Sequence, residues 1–345
     1  MTTTLVVGKF LPPHAGHSSV IAAASDADGS RCHVVVCAAP TDAIPATQRA
    51  EWIRRSHPDV NVVVVDDICG HLSDTCEPEC SLAWAELVRE VLGERIDAVY
   101  SSEGYGAPFA DALGARHHPV NPERRTHPVS GTAVRLDPYA QWEHLAPWVR
   151  AHYVVRVAVV GAESTGTTTL ARELAGHYDT LWVPEYGRAY SEAKMAEGTY
   201  DTWTSRDFEI IAAAQQADED ALAEKVAREP LRPGLRPLLI CDTDALATTI
   251  WERRYLGRTT PAVQAIADAR TYAMYILTDF DIPFVDDGTR DGEHLRGEMT
   301  EHFQVALEAR SEPSIVVRGP RRERLSVATA TIDRLLQRDV PVPAP

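Results

Sequence analysis

Short, almost wholly apolar runs recur along the chain, each followed by a stretch whose apolar residues return every three or four positions. In the first half the runs are Leu5-Val6-Val7, Cys32 to Cys37, Val60 to Val65 and Ala98-Val99-Tyr100. Continuous rather than alternating apolarity marks strands buried on both faces. The intervening segments, such as Ala15 to Ala24 and Ser81 to Leu92, carry helical spacing. Repetition of strand and helix predicts a parallel sheet covered by helices.

The pattern restarts after Trp142 to His152. Val154 to Val160 runs straight into a Gly-containing turn and a helix, and the later strands are Leu181-Trp182-Val183, Pro237 to Cys241, Tyr272 to Leu277 and Ser314 to Val317. With 345 residues and about 150 per domain, two domains are expected. We place them at 1–152 and 153–345. The fold class is α/β, with two parallel-sheet domains. The tail Val340 to Pro345 is Pro-rich, cannot continue a helix and is expected to fray.

A net charge of −16 argues against nonspecific binding to nucleic acid or to an anionic membrane, since both need a basic surface. It leaves room for a local basic pocket and for a homo-oligomer. No basic-then-apolar leader opens the chain, and no apolar run approaches the ~18 residues of a membrane span. A soluble, cytoplasmic protein is expected. Three of the six cysteines cluster with a histidine as Cys69, His71, Cys76 and Cys80. That spacing is not one of the common paired zinc patterns. Reduced cysteines in a loop are the expectation, with a zinc knuckle the alternative.

The first chemical signal follows the first strand: Gly8-Lys9-Phe10-Leu11-Pro12-Pro13-His14-Ala15-Gly16-His17. Gly8 and Gly16 allow backbone to approach a phosphate, and the helix that opens there carries partial positive charge. His14 and His17 lie three apart at the helix start, so both can face one ligand. Imidazoles aimed at phosphate oxygens would stabilise the charge that builds up when an adenylyl group is transferred. An acceptor's own phosphate can attack directly, so catalysis is mostly positioning. Six fixed positions within ten residues set this string apart from an ordinary strand–helix turn with two surface histidines. It resembles the nucleotidylyltransferase superfamily with the HxGH signature, which implies a Rossmann-like domain with Lys9 and Phe10 among its ATP contacts. Ser130-Gly131-Thr132-Ala133-Val134-Arg135 looks like that superfamily's second phosphate motif. Ser130 and Thr132 would hold the terminal phosphates, and Arg135 would neutralise the leaving pyrophosphate.

For the acceptor, Ser101 to Gly106 follows the fourth strand, at the edge where open α/β sheets bind ligands. It is similar to the corresponding segment of nicotinamide-nucleotide adenylyltransferases, with Tyr105 within it. Arg49 could meet an acceptor phosphate, and Trp52 either stacks on a flat ring or packs in the core. Asn121 departs from the aspartate expected before Pro-x-Arg, which leaves Asn121, Arg124 and Arg125 without assigned roles.

The second signal is Gly161-Ala162-Glu163-Ser164-Thr165-Gly166-Thr167-Thr168-Thr169. It has the context and glycine spacing of a Walker A loop, whose backbone N–H groups cradle phosphate. Thr168 sits where a Mg²⁺-binding hydroxyl belongs. Thr167 stands in the lysine position, which removes a cation from the β- and γ-phosphates. Asp242 and Asp244 end an apolar strand; Asp242 could hold Mg²⁺, and Asp244 could act as base or hold a ribose. Glu185 is a second candidate base, and Arg188 a phosphate contact. Asp286-Asp287-Gly288-Thr289-Arg290, with Arg296 beyond, reads as a lid whose Arg290 could replace the missing charge.

In this order the motifs resemble the bifunctional nicotinamide-nucleotide adenylyltransferase and ribosylnicotinamide kinase family across almost the whole chain. The resemblance implies an N-terminal nucleotidylyltransferase domain and a C-terminal P-loop kinase-like domain. It implies ATP, nicotinamide mononucleotide and nicotinamide riboside as partners, and Mg²⁺ as cofactor. Some members carry a DNA-binding helix-turn-helix ahead of the transferase; this sequence opens on the transferase strand, so none is expected. Three alternatives stay open: a second domain that has lost phosphorylation, one that only senses nucleotide, and a transferase acting on another phosphorylated acceptor.

Overall fold

The computed structural model describes residues 2–26, 29–66, 78–286 and 292–337, the side chains of Pro78 and Glu79 excepted. It divides into two units, Met1–Arg150 and Ala151–Pro345.

In the first unit the apolar runs form β1 (Thr2–Gly8), β2 (Ser30–Ala38), β3 (Asn61–Asp66) and β4 (Ala98–Ser101), joined by β5 (Arg116–Pro119). All pair in parallel, in the order β3-β2-β1-β4-β5. The helices are α1 (Ala15–Ser25), α2 (Ala46–Ser56), α3 (Pro78–Leu92), α4 (Gly106–Leu113), α5 (Gly131–Leu136) and α6 (Pro147–Arg150). Alternate residues of each strand feed opposite faces. Leu5, Val7 and Val35 pack with Trp84 and Phe109 on one side. Val6, Val34 and Val36 pack with Ile21 and Ile53 on the other. Continuous apolarity therefore does mean burial on both faces here. β5 was not expected. Its sequence is Arg-His-His-Pro, and it pairs only at the sheet edge, where apolar residues are not required.

In the second unit β6 (Val155–Gly161), β7 (Trp182–Val183), β8 (Leu238–Asp242), β9 (Met274–Thr278) and β10 (Ser314–Val317) are also parallel, in the order β10-β9-β6-β8-β7. Its helices are α7 (Thr167–Tyr178), α8 (Tyr186–Ala196), α9 (Ser205–Arg228), α10 (Ala245–Leu256), α11 (Pro261–Asp268), α12 (Arg296–Glu308) and α13 (Arg321–Leu336). Val157, Val159 and Ile240 pack with Leu170, Leu174 and Ile332. Leu239, Cys241 and Tyr275, which alternate with them, are also buried.

Each sheet has a central first strand with later strands on both sides, β2 and β4 around β1, and β8 and β9 around β6. The chain reverses direction across the sheet at these places, and a crevice opens beyond the carboxyl ends of the strands. Both candidate motifs sit there. No described helix is long and apolar enough to cross a membrane. Cys69, His71 and Cys76, Arg290 and the tail from residue 338 lie outside the described residues; Cys80 sits half-buried in α3. Among the described residues no group of three or more metal-ligating side chains is found.

Candidate active sites

In the first unit β1 ends at Gly8 and α1 begins at Ala15, with His14 in extended backbone at the junction. The His14 and His17 rings stack with centroids 3.7 Å apart and planes 25° from parallel. Phe10 meets His17 edge-on at 5.0 Å. Phe10 holds φ of +50°, a costly region for a bulky residue. Its side chain is buried, so packing overrides that cost. Burial pushes the His14 pKa down to about 4, helped by Arg124, His144 and His127. Burial and then His14 and Arg124 push His17 well below its ordinary value. Near neutral pH both rings are therefore uncharged and offer N–H groups rather than full charges. The Nδ1 atom of each is buried without a hydrogen-bond partner. Such groups are costly unless a ligand meets them.

The second motif folds against this turn. Ser130 caps α5, its Oγ accepting from the Ala133 N–H at 3.1 Å. Arg135 donates to the Leu11 carbonyl at 2.7 Å and to Thr132 Oγ1 at 3.1 Å. A Cβ at Gly131 would lie 3.0 Å from the Leu11 carbonyl oxygen, so glycine permits this approach. Residues more than a hundred positions apart thus close one cavity of about 330 Å³. Gly8, Lys9, Phe10, His14, Gly16 and His17 line it, as do Ser130, Thr132 and Arg135.

Tyr105 also lines this cavity, its hydroxyl donating to the Val7 carbonyl at 2.6 Å. The other two acceptor expectations need correction. Arg49 is fully buried. Its guanidinium pairs with Asp42 at 2.7 Å and donates to the carbonyls of Ile44, Cys37 and Lys9. It braces the loop after β1 instead of facing the cavity. Trp52 is buried as well, its carbonyl accepting from Trp148; core packing is the alternative that holds. Asn121 and Arg124, unassigned from sequence, do line the cavity, with Arg124 paired to Glu103 at 2.9 Å. So does His127, a lone loop histidine whose sequence context carries no distinguishing signal.

In the second unit the loop from Gly161 to Gly166 links β6 to α7. Ser164 and Gly166 hold φ of +57° and +86°, which turns successive N–H groups toward one concavity. A Cβ at Gly161 would lie 2.3 Å from Thr278 Oγ1, so only glycine fits. Gly161, Ser164, Thr167 and Thr168 line a cavity shared with Glu185 and Arg188. Three expected contacts fall elsewhere. Thr165 is buried, its hydroxyl bonded to the Ala162 carbonyl and to Thr278, both at 2.7 Å. Gly166 shapes the turn without lining the cavity, and Thr169 points to solvent on α7.

Asp242, at the end of β8, is 1% exposed. Burial pushes its pKa up, opposed by the nearby Thr168 and Thr167 hydroxyls and the Arg188 charge. Neither carboxylate oxygen has a hydrogen-bond partner of acceptable geometry. Asp244 is a correction. Its carboxylate caps α10, accepting from the Ala247 N–H at 2.8 Å and from the Tyr275 hydroxyl at 2.9 Å. It is buried, does not line the cavity and has both oxygens engaged, which does not suit a base. The helix it caps carries Thr248, Trp251 and Tyr255 to the cavity wall, where Tyr200 and Trp203 join them. Sequence reading missed this aromatic wall, although Trp251 and Tyr255 are four apart on one helix and so share a face.

Comparison with known proteins follows the same lines. Residues 156–324 match a family model described as an AAA domain. The chain is 30% identical over 211 residues to the trifunctional NAD biosynthesis/regulator protein NadR of Escherichia coli (strain K12), covering 60% of this chain and 49% of that protein. It is 32% identical over 193 residues to the protein of the same name from Salmonella typhimurium (strain LT2), covering 56% and 45%. It thus spans about half the length of the curated relatives it matches. Solved structures of a NadR protein in complex with NAD and AMP-PNP, and in complex with NR, each superpose with a TM-score of 0.68 over 99% of this chain and 97% of theirs. At 19% and 20% identity that likeness is one of fold.

Proposed function

We propose, from a chain homologous to the NadR proteins over about 60% of its length, that the protein makes NAD from nicotinamide riboside in two ATP-dependent steps. In the first unit the phosphate of nicotinamide mononucleotide attacks the α-phosphorus of ATP. A new P–O bond forms, and the bond to the β-phosphate oxygen breaks to release pyrophosphate. His14 and His17 meet the α-phosphate oxygens, where charge accumulates. Ser130, Thr132 and Arg135 face the departing phosphates. The observation that carries this reading is the stacked histidine pair, with two unpartnered Nδ1 atoms, in one cavity with Arg135.

The second unit supplies the mononucleotide by phosphorylating nicotinamide riboside. The loop N–H groups cradle the ATP phosphates, and Glu185 lines the cavity as base or ribose contact. The wall of Trp251, Tyr255 and Trp203 suits a flat, apolar-faced ring. An orphaned carboxylate beside a threonine hydroxyl fits a hard cation with oxygen ligands. Thr168 and Asp242 would hold Mg²⁺, which neutralises charge between the phosphates when bound. Thr167 favours one second reading, in which this unit binds nucleotide without turnover.

The transferase half is tested by incubating the protein with ATP, Mg²⁺ and a panel of nicotinamide mononucleotide, phosphopantetheine and a sugar phosphate. Pyrophosphate release with the mononucleotide, and NAD as product, are expected. Release with another acceptor alone would overturn the assignment.

A further inference from the structure

A P-loop without its lysine poses a specific problem. The terminal phosphates of ATP bring several negative charges, and the N–H groups of the loop supply only partial positive ones. Some full cation must stand nearby for efficient phosphoryl transfer. Three arginines near the loop are already committed to its scaffold. Arg254 pairs with Glu163 at 2.5 Å. Arg296 donates to the carbonyls of Ser164 and Ile282 at 3.2 and 3.0 Å. Arg324 donates to the carbonyls of Thr165, Asp279 and Gly319. None of the three lines the cavity.

Among the described residues one Lys or Arg side chain does line it, Arg188. Arg188 lies in the first turn of α8, just after Glu185. Its Nε donates to Glu192 Oε1 at 3.0 Å, a pair one turn apart with both side chains substantially exposed. Such an exposed pair contributes little by itself. We propose that Arg188 reaches the phosphate cradle from α8 and holds the terminal phosphates of ATP in place of the lysine that position 167 lacks. Its charge also opposes the burial of Asp242, as expected of a cation facing the same centre.

The inference rests on the kinase reading above. In the transfer, the γ-phosphorus bond to the bridging oxygen of ADP breaks and a bond to the acceptor hydroxyl oxygen forms. The hydroxyl proton passes to Glu185, and ADP leaves with the charge that Arg188 faces. Arginine suits this task because its planar fork meets two phosphate oxygens at once.

The test compares the full-length protein with Arg188→Gln, Arg188→Lys and the double variant Thr167→Lys/Arg188→Gln. Phosphorylation of nicotinamide riboside is followed by ADP release, and affinity for AMP-PNP with Mg²⁺ by calorimetry. R188Q should lose on the order of 10²-fold or more in kcat and bind the analogue more weakly, with R188K in between. The double variant should regain at least about tenfold, because a lysine in the loop restores the cation. A structural role for Arg188 would not give that rescue. R188Q behaving as the native protein, or an impaired R188Q that the loop lysine fails to restore, would overturn the inference and leave the kinase reading standing. If the native protein phosphorylates nothing, the kinase reading fails. The analogue affinities then decide the inference alone: loss in R188Q with recovery in the double variant upholds it, and equal affinities sink it.

Discussion

On the proposed reading, His14→Ala should slow NAD formation from nicotinamide mononucleotide by about 10²- to 10³-fold, the range seen when one preorganised donor to a developing oxyanion is lost. The KM for ATP changes much less, because the contact strengthens only as charge builds on the α-phosphate. Phosphorylation of nicotinamide riboside by the same protein stays within about twofold, since His14 lies in the other compact unit. That second activity is an internal control for folding. The physical basis is a ring held neutral by burial, stacked on His17 and left without a partner for its Nδ1 atom. The native state carries an unmet polar group that a phosphate oxygen would satisfy with the proton on Nδ1. His17→Ala should act in the same direction, and it also removes the ring on which both His14 and Phe10 rest. Equal losses in both activities of His14→Ala would mean that the residue supports structure and not transfer.

Asp242→Asn should move activity and stability in opposite directions. Phosphorylation falls by about 10²-fold or more, because a carboxylate that would hold Mg²⁺ against the phosphates is gone. The ligand-free protein should become more stable, by about 1–3 kcal/mol, because a buried carboxylate with no well-formed hydrogen bond is replaced by a neutral amide. In a unit of this size that corresponds to a rise in Tm of several degrees, at about 2–4 °C per kcal/mol. Adding ATP and Mg²⁺ should stabilise the native protein more than the variant. A destabilised variant would show that Asp242 serves the fold.

Much of the fold was legible because burial on both faces leaves a plain mark. Runs such as Val154 to Val160 admit no polar residue except where a strand face is covered unevenly, as at Arg156. β5 escaped because an edge strand is held by its ladder and not by its side chains. The candidate transferase cavity was partly legible because one turn, Gly8 to His17, carries both histidines and about a third of its lining residues. The closure by Arg135 onto Leu11, and the approach of Asn121, Arg124 and His127, required the chain to fold.

Errors came where a residue type fits two environments. Arg49 looked like a phosphate contact, yet its five donors also suit a buried loop with several free carbonyls, which is where it lies. Asp244 looked like a base, yet a strand end that leads into a helix also needs an N-cap, which took Oδ1, while the Tyr275 hydroxyl took Oδ2. The aromatic wall was missed because Tyr200, Trp203, Trp251 and Tyr255 come from separate segments. Spacing along the chain cannot show that they converge. Thr167 worked the other way. Its sequence anomaly was plain, with Arg188 and Arg290 both candidates, and among the described residues Arg188 is the arginine that lines its cavity.

The central claim is that the two units work in series, and one incubation tests it. The full-length protein is given nicotinamide riboside, ATP and Mg²⁺, with no mononucleotide, and the products are separated by chromatography. The account predicts NAD, with both ADP and pyrophosphate released. Pyrophosphate and NAD appearing only when nicotinamide mononucleotide is supplied would contradict it, and would leave the P-loop unit as a nucleotide-binding module beside a working transferase.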